Sequence, residues 1–270
     1  MTDKKSRVVL VTGAAGGIGA AITKALVGAG YSVAAVDRDA DALSRLNASA
    51  RIHPFLIDVS SESACQETVA SAVARFGRLD AVINNAGIGP SSLRPDAEVN
   101  LPTIEELTAD TWDNFFAINV RAPMLLAQAA LPHMRKGGFG RIINNTTSFR
   151  TMLRVLPYGA TKSALESMSA IWAQELKSDG ITVNVLIPGG PTDTAFISDG
   201  AGWDRAKMLR PQIMGPPACW LVSDEAADYT GNRIIAAKWD TALPGAQAAA
   251  KAGRAIGWPE LGADAVWLSS

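Results

Sequence analysis

The sequence predicts one α/β domain over residues 1–270, a doubly wound parallel sheet of about seven strands with helices on both faces. Three observations predict it. Apolar β-rich runs alternate with helix-period stretches from the first residues onward. The strand runs are continuously apolar rather than alternating, as expected where both sheet faces are covered. No linker or internal repeat divides the chain.

The elements follow in order. "RVVLVT" (7–12) is the first strand, and Ile18, Ile22 and Leu26 then fall on one face of a helix that ends on Gly30. "YSVAAVD" (31–37) and "FLIDV" (55–59) are the next strands. Ser61 with Glu62 opens a helix that runs to Gly77. "LDAVINNAG" (79–87) is strand then loop, and Thr111 is read as the cap of a long helix through Met134, interrupted at Pro123. "RIINN" (141–145), a helix from Tyr158 to Ser178 and the strand "ITVNVLIPG" (181–189) complete the pattern. Two irregular stretches, 90–108 and 189–217, are long enough to act as lids or binding walls. The tail 240–270, rich in Ala and Gly, declares no element.

Composition narrows the function. A net charge of −1 gives no electrostatic reason to expect nucleic acid or an acidic membrane as partner. Two cysteines and two histidines make a disulfide framework or a histidine metal site improbable, so no metal is expected. No apolar run reads as a membrane span, and "MTDKKSRVVL" lacks the apolar core of a signal peptide, so a reducing cytoplasm is the expectation.

Two groups of residues carry chemistry. "VTGAAGGIGA" places Gly13, Gly17, Ile18 and Gly19 between the first strand and its helix. There the backbone can approach a pyrophosphate, which meets the positive end of the helix dipole. Asp37 ends the next strand, where a carboxylate accepts the hydroxyls of an adenosine ribose and repels a 2′-phosphate, favouring NAD over NADP. Arg38 pulls the other way, because an arginine there can pair with that phosphate. At the second group, Tyr158 and Lys162 lie one turn apart at a helix start. A tyrosine ionises near pH ~10, and a cation on the same helix face stabilises its phenolate.

These pieces, with Asp58-Val59, "NNAG" at 84–87, Asn119 in "INV", "PGG" at 188–190 and "SDEAADYTG" at 223–231, stand in the order seen in the short-chain dehydrogenase/reductase family. The chain resembles a single-domain member of that family over about residues 7–235. The resemblance implies a Rossmann-like fold and an NAD(P)-dependent oxidoreductase acting on a small-molecule alcohol or carbonyl. It implies Tyr158 as general acid/base, Lys162 on the nicotinamide ribose, Asn119 on a water-linked proton path and a serine-type hydroxyl on the substrate oxygen. Asp58 and Val59 would flank the adenine, Asn85, Ala86 and Gly87 the adenosine ribose, and Pro188, Gly189 and the stretch to Thr194 the nicotinamide amide. Two other readings share parts of the pattern: a sugar-nucleotide epimerase or dehydratase, and a catalytically silent NAD-binding regulator.

The chain departs from the family pattern at three places. The threonine expected after Pro-Gly is offset, so Thr192 and Thr194 compete. "AAKWD" (236–240) replaces the usual ending, which bears on whether the expected homotetramer is instead a dimer. The polarising hydroxyl lies closer to the tyrosine than usual, and Thr147 and Ser148 both fit. Ser148 is preferred, because Phe149 supplies the large apolar residue that usually follows that hydroxyl.

Overall fold

The computed structural model describes residues 7–46 and 50–262; the six leading residues and the end of the tail, 263–270, lie outside them. The elements are β1 (Val8–Thr12), α1 (Gly17–Gly28), β2 (Ser32–Asp37), α2 (Ala40–Arg45), β3 (Ile52–Leu56), α3 (Glu62–Phe76), β4 (Ala81–Asn84), α4 (Ala109–Phe116) and α5 (Ala122–Gly137). β5 (Gly140–Asn145), α6 (Phe149–Met152), α7 (Tyr158–Glu175), β6 (Ile181–Ile187), α8 (Gly215–Val222), β7 (Asn232–Ile235), α9 (Gly245–Ala252), β8 (Gly253–Ala255) and α10 (Pro259–Gly262) follow.

The strands form one sheet in the order β3-β2-β1-β4-β5-β6-β7-β8. Every pairing is parallel except the last. The order reverses between β1 and β4, so the connections leaving their carboxyl ends diverge and open a crevice, the place where such sheets bind ligands. Successive side chains of β1 serve opposite layers. Val8 and Leu10 enter the core that includes residues of α3, α5 and α7, and Val9 and Val11 the core that includes residues of α1, α8 and α9. This double burial explains why the strands read as unbroken apolar runs.

The sheet has eight strands rather than about seven. β8 pairs antiparallel with β7, Arg233 opposite Arg254, and comes from the tail. It is short, largely exposed and held by backbone pairing, so it has no apolar period by which to declare itself. The third strand lies at 52–56 rather than 55–59. Thr108, not Thr111, caps α4, its side chain accepting from the Thr111 amide. Pro123 does not break the long helix, because it falls in the first turn of α5, where its missing N–H costs least. The helical run Ala109–Gly137 does reach membrane-spanning length and apolarity, against the sequence expectation. Its Leu125, Leu126, Ala130 and Met134 are packed in the sheet core.

Candidate active site

The glycine turn is shaped by contact with the loop after β4. The Thr12 hydroxyl accepts from the amides of Asn85 (3.1 Å) and Ala86 (3.0 Å), and the Asn85 side chain donates to Thr12 O (3.0 Å) and Gly13 O (3.2 Å). A Cβ at Gly13 would lie 3.0 Å from Ala86 Cα. Gly17 sits at φ +49°, and a Cβ at Gly19 would run into the Gly13 carbonyl, so neither position takes a side chain without strain. α1 begins with no side-chain cap and no acidic residue in its first turn, which leaves its amide groups and positive dipole end for an anion. The donor set fits a pyrophosphate.

Asp37, at the end of β2, accepts from the Ala15 amide (3.0 Å) on one oxygen and from the Asp39 amide (3.2 Å) on the other. It thereby ties the glycine turn to the entry of α2. Asp37, Arg38, Asp58, Val59, Ala86 and Gly87 line one small cavity of about 110 Å³ beside Gly13. The structure thus brings the residues expected at the adenosine end together except Asn85, which lines the larger neighbouring cavity.

A second cavity, of about 810 Å³, runs from Gly13, Gly17 and Ile18 past Asn85 to Tyr158 and Lys162. Tyr158 opens α7 and Lys162 follows one turn later; both are buried. Burial pushes the Tyr158 phenol well above the ordinary tyrosine range, and a hydrogen bond with the Thr147 hydroxyl pulls it back. Burial also lowers the Lys162 ammonium to about 8. Its Nζ donates to Asn145 O at 2.8 Å and lies 5.6 Å from the centre of the Tyr158 ring. Lys162 and Thr147 therefore both lie beside the phenol.

The two hydroxyls that compete for the substrate oxygen, Thr147 and Ser148, differ in their surroundings. β5 ends at Asn145, so the strand's alternation does not govern the three hydroxyls that follow. Thr146 turns inward and donates to Glu166 Oε2 (2.7 Å), and Thr147 meets Tyr158. Ser148 is the N-cap of α6: its hydroxyl accepts from the Thr151 amide (3.1 Å) and pairs with Thr151 Oγ1 (2.8 Å). The sequence reading placed no helix at 149–152, and that missing element is what claims Ser148.

Asn119 lies in a π-helical turn, Ala117–Arg121, between α4 and α5. Its side chain is fully engaged: Oδ1 accepts from the Ile88 amide (2.9 Å), and Nδ2 donates to Ile88 O and to Thr161 Oγ1 (3.0 Å each). It thus joins the loop after β4 to α7 near the tyrosine–lysine turn. Thr192 and Thr194 both line the large cavity, together with Pro188 and Gly189. Thr192 is buried, bridges to Leu209 and bonds Gly190 O (3.2 Å). Thr194 instead lies over the glycine turn, its methyl 2.9 Å from where a Gly17 Cβ would stand.

The two irregular stretches form the outer wall. Ser91 links them, its hydroxyl bonded to Glu98 and at 3.1 Å from both Phe196 O and the Ser198 amide. The Phe196 ring reaches Tyr158, centroids 5.6 Å apart. Among the described residues, no group of three His, Cys, Asp or Glu side chains could hold a metal ion. Glu166, Arg233, Ser91 and Glu98 escaped the sequence reading, since no local pattern marks residues that meet only across the fold.

Comparison with known proteins gives the family. A family profile described as short chain dehydrogenase matches residues 7–201. The chain is 34% identical over 246 residues to an L-fucose dehydrogenase of Oryctolagus cuniculus, covering 85% of this chain and 83% of the relative. It is 30% identical over 250 residues to a D-threitol dehydrogenase of Mycolicibacterium smegmatis, covering 85% and 90%. A 3-ketoacyl-(acyl-carrier-protein) reductase from Brucella melitensis, solved with NADH, superposes with a TM-score of 0.73 at 26% identity, over 85% of this chain and 95% of that one. From the glycine turn to the tyrosine–lysine pair, this chain belongs to the short chain dehydrogenase family.

Proposed function

We propose that this NAD(P)-dependent oxidoreductase uses NAD and interconverts an alcohol with its ketone or aldehyde where Thr147, Tyr158 and Lys162 meet. One observation carries the reading: these three groups line the same cavity whose other end is the glycine turn. Gly13, Gly17, Ile18, Gly19 and Thr194 would hold the pyrophosphate. Asp37, Arg38, Asp58, Val59 and the Asn85 to Gly87 loop would hold the adenosine end, with Pro188, Gly189 and Thr192 at the nicotinamide amide. When bound, the nicotinamide supplies or accepts the hydride. Tyr158 gives its phenolic proton to the carbonyl oxygen in reduction and takes it back in oxidation. Thr147 holds that oxygen, and Lys162 keeps positive charge beside the phenol as it ionises. Asn119 fixes the loop and helix between which these groups lie.

Asp37 supports NAD, because each of its oxygens keeps a lone pair free for a ribose hydroxyl after its backbone bond. The NADH bound by the Brucella reductase is consistent with this choice. Nothing favours an epimerase, and a silent regulator would not need the buried tyrosine–lysine pair. The two free thiols, Cys65 and Cys219, support a reducing compartment such as the cytoplasm. A homo-oligomer is part of the reading, since Trp112, Met124 and Ile171 leave apolar surface exposed on α4, α5 and α7. β8 covers the edge of β7, which supports a dimer over a tetramer.

The test is NADH formation from a panel of secondary alcohols and polyols, with Tyr158→Phe alongside. The variant should retain NADH binding and lose turnover. Turnover comparable to the parent protein would reject the mechanism.

A further inference from the structure

We propose that Glu98 anchors a second hydroxyl of the substrate, so that the enzyme prefers diols and longer polyols over simple alcohols. The inference rests on the reaction proposed above and concerns the far wall of the same cavity. Glu98 lies in the 90–108 stretch and lines the cavity that holds Tyr158. One carboxylate oxygen, Oε1, is bonded to Ser91, which also contacts the 196–198 segment, so both walls of the cavity fix the carboxylate in place. The other oxygen, Oε2, is shielded from solvent and has no hydrogen-bond partner in the protein.

A buried carboxylate oxygen without a donor carries an uncompensated desolvation cost, which a donor within the cavity would remove. An anionic group would be repelled by Glu98, whereas the alcohol of the proposed reaction brings neutral hydroxyls into this cavity, and a second one can donate to Oε2. Leu101, Val155 and Trp203 supply apolar wall beside it, suited to the C–H faces of a carbon chain or ring.

The test compares matched pairs, butane-2,3-diol with butan-2-ol and cyclohexane-1,2-diol with cyclohexanol, in the parent protein, Glu98→Leu and Glu98→Gln. The parent should favour each diol by ~10-fold or more in kcat/KM, the scale of a hydrogen bond to a charged group. Glu98→Leu should bring the ratio near one through loss on the diol. Glu98→Gln, which keeps an acceptor for Ser91, should fall between and guards against a folding defect. A parent ratio near one, or an unchanged ratio in Glu98→Leu, overturns the assignment. If none of the four alcohols turns over while NAD still binds, the proposed reaction is what fails. Thermal protection of the NAD-loaded protein then decides the role of Glu98. Protection by diols alone that Glu98→Leu abolishes supports it, and equal or absent protection by diols and mono-alcohols overturns it.

Discussion

Arg233 on β7 and Glu166 on α7 form a buried ion pair, Nε to Oε1 3.0 Å, and each partner also bonds the Thr146–Thr147 segment that follows β5. Thr146 donates to Glu166 at 2.7 Å, and Arg233 Nη2 donates to Thr147 O at 2.6 Å. Side-chain exposure is 1% for Glu166 and 13% for Arg233, so solvent screens the pair little. Burial raises the Glu166 carboxyl, while Arg233 and Thr146 oppose that rise. The pair holds Thr147 from behind while its hydroxyl faces Tyr158.

Removing one partner should therefore cost both stability and rate. Arg233→Met leaves Glu166 unpaired and should destabilise by ~3–5 kcal/mol, the usual cost of orphaning a buried charge. The double variant Glu166→Met with Arg233→Met should recover most of that stability, because no charge is left buried. It should not recover kcat, because nothing then holds the Thr147 carbonyl. Parallel denaturation and kinetics check this; recovery of both would reduce the pair to a structural role.

The roles of the neighbouring hydroxyls separate in the same way. Thr147→Ala should lower kcat by ~10²-fold, the scale of losing one oxyanion-type donor. Ser148→Ala should cost ~1 kcal/mol of stability through the lost cap of α6, with little effect on kcat. Thr147→Ser keeps the hydroxyl and should keep most of the rate. Steady-state kinetics with urea unfolding of all three variants distinguishes these outcomes, and a larger rate loss in Ser148→Ala would return the role to Ser148.

Coenzyme affinity should depend on pH through Lys162. Its ammonium is depressed to about 8 by burial, so the free protein loses that charge as pH rises through this value. NADH should bind with constant affinity below that range and progressively more weakly above it. The same depression makes the charged form a burden on the fold, so this lysine's destabilising contribution should fade as pH rises from about 8 toward its ordinary 10.5. Lys162→Arg stays charged and should abolish the alkaline loss of affinity. Fluorescence titration of NADH across pH 6–10, with the variant as control, measures it.

The carboxylate of Asp37 should set coenzyme choice. Asp37→Ser should narrow the preference for NAD over NADP by ~1–2 kcal/mol, the scale of a charge-assisted hydrogen bond. It should also weaken both coenzymes somewhat, since the Ala15 amide loses its carboxylate acceptor. Dissociation constants for NADH and NADPH test this. A parent protein that prefers NADPH would transfer the decision to Arg38.

Features that repeat within a few residues were legible in the sequence. The buried strands show as apolar runs because both of their faces are covered, and Gly13, Gly17 and Gly19 show because a side chain at any of the three would be strained. Tyr158 and Lys162 show because one helical turn fixes which side chains are neighbours. Tertiary structure decided the rest. Whether Thr147 or Ser148 faces Tyr158 depends on a short helix at Phe149–Met152 that recruits Ser148, and on Arg233 and Glu166 arriving from β7 and α7. β8 exists as a strand only because β7 offers it an edge. Past the end of a strand, a side chain's direction is no longer set by its own backbone period but by the partners that the fold brings to it from elsewhere in the chain.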